Sequence, residues 1–239
     1  MKIAIISDVH ANLEALTTCL KKIDELGADK IICLGDLVDY CAEPNACIEL
    51  IKTNCDVVVM GNHDEAQFKY DMTEGFSNDA RISSIHTRDV IKPEYTEYFK
   101  TLPRVYRYEN LLFVHGSPQN PKDYRYIPTT EAAESSFVAF DESICFIGHS
   151  HKPVIFKETK QGVQIVTDEY QEAGHRYIIN VGSVGQPRDG DPRLSFGLFD
   201  LNSRKYTNYR VEYDTLTASN KIKNEGLPLY LAERIINGV

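Results

Sequence analysis

Short apolar runs recur along the chain, and they end on the same few kinds of residue. "IAIIS" (3–7), "KIICL" (30–34), "DVVVM" (56–60), "LLFVH" (111–115) and "ICFIG" (144–148) each stop at or beside Gly, Asp, Asn or His. Runs of this length, rich in Ile and Val, predict buried strands. Between the first two, Leu13, Leu16, Leu20 and Ile23 recur at helical spacing, with Asn12 suited to cap the start and Gly27 the end. A second short helix is predicted after Pro44, through "CIELIK". A β-α-β-α-β pattern over residues 1–60 implies right-handed crossovers and a largely parallel sheet. Residues 64–102 read as helical: Ile82, Ile85 and His86 share one face, and Tyr95, Tyr98, Phe99 and Leu102 another. Residues 105–115 predict a hairpin turning at "EN". After residue 150 the texture becomes strands joined by turns ("VIF", "VQIV", "RYIINVG", "SFGLFDL", "YTNYRVEY"), which predicts a second, mainly antiparallel sheet. The last 25 residues read as helical, with "LYLAERIING" packing on the outside.

Composition narrows the class. The chain has 239 residues, 42% hydrophobic and 26% charged, enough for one large domain spanning 1–239, and no Gly/Ser/Pro-rich linker divides it. A net charge of −9 opposes general binding to nucleic acid or anionic membrane. It leaves room for a small anionic substrate, because bound metal reverses the local sign. The opening run before Ser7 and Asp8 is too short for a signal peptide or a spanning helix. Six cysteines form no C-x-x-C pair and mostly sit inside apolar runs, so they read as reduced, buried residues of a cytoplasmic protein.

The residues at the strand ends carry the chemistry. "SDVH" supplies Asp8 and His10; "GDLVD" supplies Asp36; "GNHD" supplies Asn62, His63 and Asp64; "VHGSP" supplies His115; "GHSH" supplies His149 and His151. Taken singly, each reads more readily as a turn or a surface pair than as a ligand. Together they gather at the carboxyl ends of strands, where parallel sheets line a ligand crevice. Oxygen and imidazole ligands without thiolate suit Mn²⁺, Fe²⁺ or Zn²⁺. Their number, with one carboxylate shared, suits two ions about 3.5–4 Å apart, and Asp36 is the natural bridge. A water shared by both ions would be a hydroxide nucleophile near neutral pH.

The ordered set Asp8-x-His10, Gly35-Asp36, Gly61-Asn62-His63-Asp64, His115 and Gly148-His149-x-His151 resembles the calcineurin-like metallophosphoesterase superfamily over about residues 3–155. The resemblance implies an α/β, four-layer sandwich of two packed mixed β-sheets flanked by α-helices, the helical segment at about 64–102 framing the cleft. It implies two divalent ions, with manganese favoured over iron and zinc. Asp8, His10, Asp36 and His151 would hold one; Asp36, Asn62, His115 and His149 would hold the other. His63 would meet the transferring phosphoryl group and protonate the leaving oxygen, with Asp64 accepting from its other ring nitrogen. Asp39 is open between a turn cap and a supporting partner of the site.

Two departures from the Ser/Thr protein phosphatases of that superfamily, "DYC" (39–41) for Asp-Arg-Gly and "GNHD" for Gly-Asn-His-Glu, point away from protein substrates and towards the compact bacterial and archaeal phosphodiesterase-like branch. That branch often carries Gly-Pro just after the Tyr, where this chain has "CAEP". The stretch "NVGSVGQPRDGDPRLSF" (180–196) resembles the glycine-rich loop of the branch, so Gly182 and Ser183 are expected against substrate and Arg188 as a phosphate clamp. Arg193 is a weaker candidate; His86 and His175 fall outside every motif. The expectation is a cytoplasmic phosphoesterase hydrolysing a phosphodiester or a nucleoside or dinucleoside polyphosphate. The alternatives are a non-enzymatic binding or scaffold protein on the same fold, a protein phosphatase or a nuclease. Expected partners are a small phosphorylated, nucleotide-like substrate and a second copy of the chain, with no membrane and no stable nucleic acid.

Overall fold

The computed structural model describes residues 1–167 and 171–239. Its first half runs β1 (Lys2–Ile6), α1 (Leu13–Leu26), β2 (Lys30–Cys33), α2 (Pro44–Asn54), β3 (Val57–Val58), α3 (Asn62–Ala66), α4 (Asn78–Val90), α5 (Pro93–Thr101), β4 (Val105–Tyr108) and β5 (Leu111–Val114). It continues α6 (Thr130–Phe137), β6 (Ile144–Ile147), β7 (Val154–Thr159), β8 (Gly162–Val166), β9 (Tyr177–Asn180), β10 (Leu194–Asp200), β11 (Lys205–Val211), α7 (Thr215–Asn224) and α8 (Leu229–Asn237). Local signals in the sequence explain several boundaries. The Asn12 side chain accepts from the Ala15 amide to start α1, and Gly27, at φ 63°, ends it. Pro44 and Pro93 each stand in the first turn of their helices, where no amide is needed.

The strands form two mixed sheets, one ordered β11-β10-β1-β2-β3 and the other β4-β5-β6-β9-β7-β8. Alternation along β1 shows how the layers stack. Ile3 and Ile5 face the space between the sheets and join Phe113, Phe146, Ile179 and Phe199 there. Ala4 and Ile6 face the other way, against Leu16, Cys19, Ile48 and Ile51 of α1 and α2. The outer face of the second sheet is covered by Phe137 and Ala133 of α6, with Phe140. The result is a four-layer sandwich of two mixed sheets flanked by helices. β1, β2 and β3 run parallel in one sheet, and β5, β6 and β9 run parallel in the other. Their carboxyl ends therefore emerge along one edge of the sandwich, the geometry that lines a crevice.

Two expectations are corrected. The strands after residue 150 do not make a sheet of their own. β10 lies antiparallel beside β1 and carries β11, whereas β9 joins parallel to β6. Local texture marks a strand but not its neighbour. In α4 the buried face is Ala80, Ser83, Ser84 and Thr87, while Ile82 and Ile85 are exposed. A hydrogen bond from the Tyr40 amide to the Ser83 hydroxyl holds that polar face inward. α8 packs on the outside, with Leu229 and Tyr230 exposed, and its inner face reaches the loops of the site. Leu231, Ala232 and Ile235 share an apolar cluster with Ala11, Tyr40 and Cys41, the residues that follow the site-bearing strands. All six cysteines are free thiols, and no helix among the described residues is long and apolar enough to cross a membrane.

Phe146 is fully buried between the sheets, its ring 5.3 Å from that of Phe113 and 5.7 Å from that of Phe199. Phe146→Ala is expected to lower unfolding free energy in urea by about 3–5 kcal/mol, whereas truncating the exposed Ile165 should shift it by less than about 0.5 kcal/mol. Equal small effects would mean that the sheets do not share a close-packed core.

Candidate metal centre and phosphate cleft

Asp8, His10, Asp36, Asn62, His63, His115, His149 and His151 stand on the segments just beyond β1, β2, β3, β5 and β6, and all are buried. The backbone there is unusual. Asp8, His10, Asp36, His149 and His151 all have positive φ, between 47° and 66°. Non-glycine residues reach this region at a cost of about 1–2 kcal/mol each, so surrounding structure must hold them there. Two close approaches contribute to that hold. A Cβ on Gly61 would strike the Asp36 carboxylate, and one on Gly148 would strike the Ser7 hydroxyl and lie 2.6 Å from Asp8 Oδ2.

The side chains gather into two groups whose candidate ligand atoms lie within 4.8 Å of one another: Asp8, His10 and His151 in one, and Asp36, His115 and His149 in the other. His10 Nδ1 donates to the Val38 carbonyl at 2.8 Å, His115 Nδ1 to the Leu34 carbonyl at 2.8 Å, and His151 Nδ1 to the Gln186 carbonyl at 2.6 Å. A carbonyl only accepts, so these bonds fix each tautomer and turn Nε2 towards the centre. His10 Nε2 and His151 Nε2 are 3.2 Å apart, as are His115 Nε2 and His149 Nδ1. Asp36 Oδ2 lies between the groups, 3.0 Å from His115 Nε2 and 3.7 Å from His10 Nε2. The Asn62 side-chain oxygen is buried without a hydrogen-bond partner among the described residues. Convergent imidazole nitrogens, a shared carboxylate oxygen and an unpartnered amide oxygen fit divalent cations.

The protonation equilibria show the same demand for positive charge. Burial pushes Asp8 up to about 6, although the charge of His115 pulls against it. Burial also opposes ionisation of Asp36, but His115 and His63 together hold its carboxyl well below the usual range. Burial pulls His115 down and Asp36 more than reverses this, lifting it to about 9. Burial drives His10 and His151 well below the ordinary imidazole range, and His149 to about 3. Those three present neutral nitrogens, the form that binds metal.

His63 departs from the expected partnership. Its Nδ1 donates to Asp39 Oδ2 at 2.7 Å, and Asp39 Oδ1 accepts from the Gln67 amide at 3.1 Å. The Asp64 carboxylate instead accepts three backbone amides: Asp36 and Leu37 at 2.8 Å each, and Gly61 at 3.0 Å. Adjacent helical residues point in different directions, so the neighbour in sequence cannot face the ring. Asp39 therefore supports His63, and Asp64 clamps the Asp36 turn. Burial lowers His63, but Asp36 and Asp39 outweigh it and raise its pKa. Its Nε2 lies 3.1 Å from the Tyr40 hydroxyl, and Phe76 packs on the ring at 4.5 Å. Phe76 carries no motif that marks it in the sequence, and Tyr40 stands in the "DYC" stretch without a role assigned to it there.

A cavity of about 300 Å³ opens beside His63 and Asn62, and Phe76, Ser77, Ala80 and Arg188 also line it. The helical segment thus borders it, and Arg188 reaches it as expected. Gly182 and Ser183 do not. Ser183 is buried, donates to the Asp8 carbonyl at 2.8 Å and accepts from the Gln186 amide at 2.8 Å. The Gly182 amide donates to the Asn180 side chain at 2.9 Å. These two residues shape the loop from behind. Arg193 pairs with Asp191 on the surface, and His86 and His175 lie away from both ligand groups.

Residues 1–204 match the model of the calcineurin-like phosphoesterase superfamily domain. The chain belongs to that superfamily, whose members depend on divalent metal. It is 38% identical to an uncharacterized protein of Methanocaldococcus jannaschii over 99% of this chain and 98% of that one. A metallophosphoesterase of Sphaerobacter thermophilus is similar in structure, with a TM-score of 0.87 and 38% identity over 100% of this chain and 99% of the other. A hypothetical protein of Pyrococcus horikoshii shares the fold at a TM-score of 0.83 and 23% identity, covering 100% of this chain and 98% of its own.

Asp39→Asn is expected to lower turnover about 10- to 100-fold while metal content stays unchanged, because only the orientation of His63 is lost. Asp64→Asn should instead lower stability by about 2–3 kcal/mol, since Asn turns an NH₂ towards amides that need acceptors. Denaturant titration and metal analysis on both variants separate the two roles. Interchanged phenotypes would return His63 to Asp64.

Proposed function

We propose that this protein hydrolyses a phosphodiester or a nucleoside or dinucleoside polyphosphate at the paired ligand groups. The observation that carries this reading is the placement of His63, held by a buried carboxylate and lining a cavity of about 300 Å³ together with Arg188, with its ring 5.0 Å from that of His10. Asp8, His10, Asp36 and His151 would hold one cation, and Asp36, Asn62, His115 and His149 the other. When bound, two such ions supply Lewis-acid charge to a phosphoryl group and acidify a water in the site.

The chain's own residues do the rest. Arg188 offers a fork of donors to a non-bridging phosphoryl oxygen. His63 carries a proton on Nε2 when charged and delivers it to the leaving oxygen, the Tyr40 hydroxyl moving aside from that nitrogen. Asp39 stabilises the charged ring and fixes its plane. Phe76, packed on His63, limits water on that side. Manganese is the favoured ion for a ligand set without thiolate, and the cytoplasm the expected compartment for a chain whose thiols are free. The whole of 1–239 serves as one unit, because α7 and α8 pack in one cluster with Tyr40 and Cys41.

Asp36→Asn is expected to abolish most turnover and to reduce bound metal at both positions, since one carboxylate serves both. Metal stoichiometry and rate measured together check this. Two retained ions with a near-normal rate would refute the bridge. His63→Gln should keep its metal and lose general-acid catalysis, typically worth about 10²–10⁴-fold. The loss should be greatest for a poor, alkoxide-like leaving group and smallest for nitrophenolate. An equal loss across a series of leaving-group pKa values would leave His63 as a charge stabiliser only.

A further inference from the structure

Arg234 lines the cavity beside His63, Asn62 and Arg188. It stands on α8, beyond the residues that match the superfamily model. Two features dock that helix end onto the loop carrying Arg188. The Gly190 amide donates to the Gly238 carbonyl at 2.8 Å. Gly238 itself takes φ 69°, and a Cβ there would lie 2.6 Å from the Asp191 carbonyl carbon and 2.7 Å from Pro192 N. On its other side α8 is anchored by Leu231, Ala232 and Ile235 in the cluster that includes Tyr40. Arg234 is thus held at the cleft by packing from two directions.

Neither guanidinium has an Asp or Glu side chain within ion-pair distance among the described residues. Arg188 donates Nε and Nη2 to the Gln186 amide oxygen at 3.1 and 2.7 Å and lies 5.3 Å from the Tyr40 ring centre. Arg234 donates Nε to a main-chain oxygen of Val239, the last residue of the sequence, at 2.6 Å and lies 5.3 Å from the Tyr230 ring centre. Elsewhere Arg104, Arg107, Arg176, Arg193 and Arg210 all meet a carboxylate. Asp79, at the start of α4, acts on Arg234 only through space. Two half-buried guanidinium groups that share a cavity repel each other, and an anion joining them would offset that repulsion. Guanidinium forks match phosphate oxygens in geometry as well as charge.

We propose that Arg188 and Arg234 form a second phosphate subsite, so that the substrate joins its reacting phosphoryl group to at least one more. This rests on the phosphoesterase reading and selects, within it, pyrophosphate-linked, nucleotide-type esters over simple diesters. The reacting group sits towards Asn62 and His63, and the adjoining one bridges the two arginines.

The test is calorimetric binding of imidodiphosphate and of orthophosphate to manganese-loaded wild type, Arg234→Gln and Arg234→Lys, with Arg193→Gln as a surface control. Arg234→Gln should weaken imidodiphosphate about ten- to a hundredfold, the worth of a charged hydrogen-bonding contact. Orthophosphate should change by less than about threefold. Arg234→Lys should fall between, because charge without the fork keeps part of the contact. Unchanged imidodiphosphate affinity, or equal weakening of both anions, overturns the subsite. Hydrolysis of bis-p-nitrophenyl phosphate by wild type separates the two ideas. Normal diester turnover with unchanged imidodiphosphate affinity leaves the phosphoesterase reading and removes the subsite. No turnover of any ester with an Arg234-dependent diphosphate affinity does the reverse.

Discussion

Burying two carboxylates side by side is the constraint on which the site depends. Asp8 and Asp36 are both almost inaccessible, and His115 Nε2 stands 3.9 Å from one and 3.0 Å from the other. Ionised groups in such a place need positive charge nearby, or they take up protons instead. The response is divided. Asp8 is raised, Asp36 is lowered, and His115 is raised because it supplies the compensating charge. Divalent cations would replace that proton with a stronger and more symmetric charge. The arrangement is therefore a candidate cation site by electrostatic need as well as by ligand type.

The backbone meets the same demand. Five site residues at positive φ and glycines with no room for a Cβ let two sheets bring their strand ends within ligand distance. The strain is held by features outside the ligands. Asp64 accepts the amides of Asp36, Leu37 and Gly61, and Ser183 ties the far loop to the carbonyl of Asp8. The sandwich behind them supplies the rigidity, because packed cores deform little. Active-site geometry is thus paid for by the fold rather than by the site.

Much of this was readable in the chain. The strands, the first helix and the ligand-bearing ends follow from apolar runs that stop on Asp, Asn or His, since a buried strand ends where polar groups can be used. What depended on direction in three dimensions was not readable. Asp64 follows His63 in sequence, but consecutive helical positions diverge, and Asp39 arrives from another loop. Ile82 and Ile85 suggested an apolar face, yet the polar side of α4 turns inward because Ser83 accepts from the Tyr40 amide. Strand pairing of β10 with β1, almost two hundred residues away, leaves no local trace. Arg234 carries no motif at all; the packing of α8 against the 190–192 turn and against the cluster around Tyr40 brings it to the cleft.

The central claim is that Asp36 joins two cation positions while His63 stands free of both. A crystal structure of the manganese-soaked protein, with anomalous data at the manganese edge, tests it most directly. The account predicts two anomalous peaks per chain, one among Asp8, His10 and His151 and one among Asn62, His115 and His149, both in contact with the Asp36 carboxylate. His63 should remain hydrogen-bonded to Asp39 and touch neither ion. A single peak, or one ligated by His63, would contradict the account.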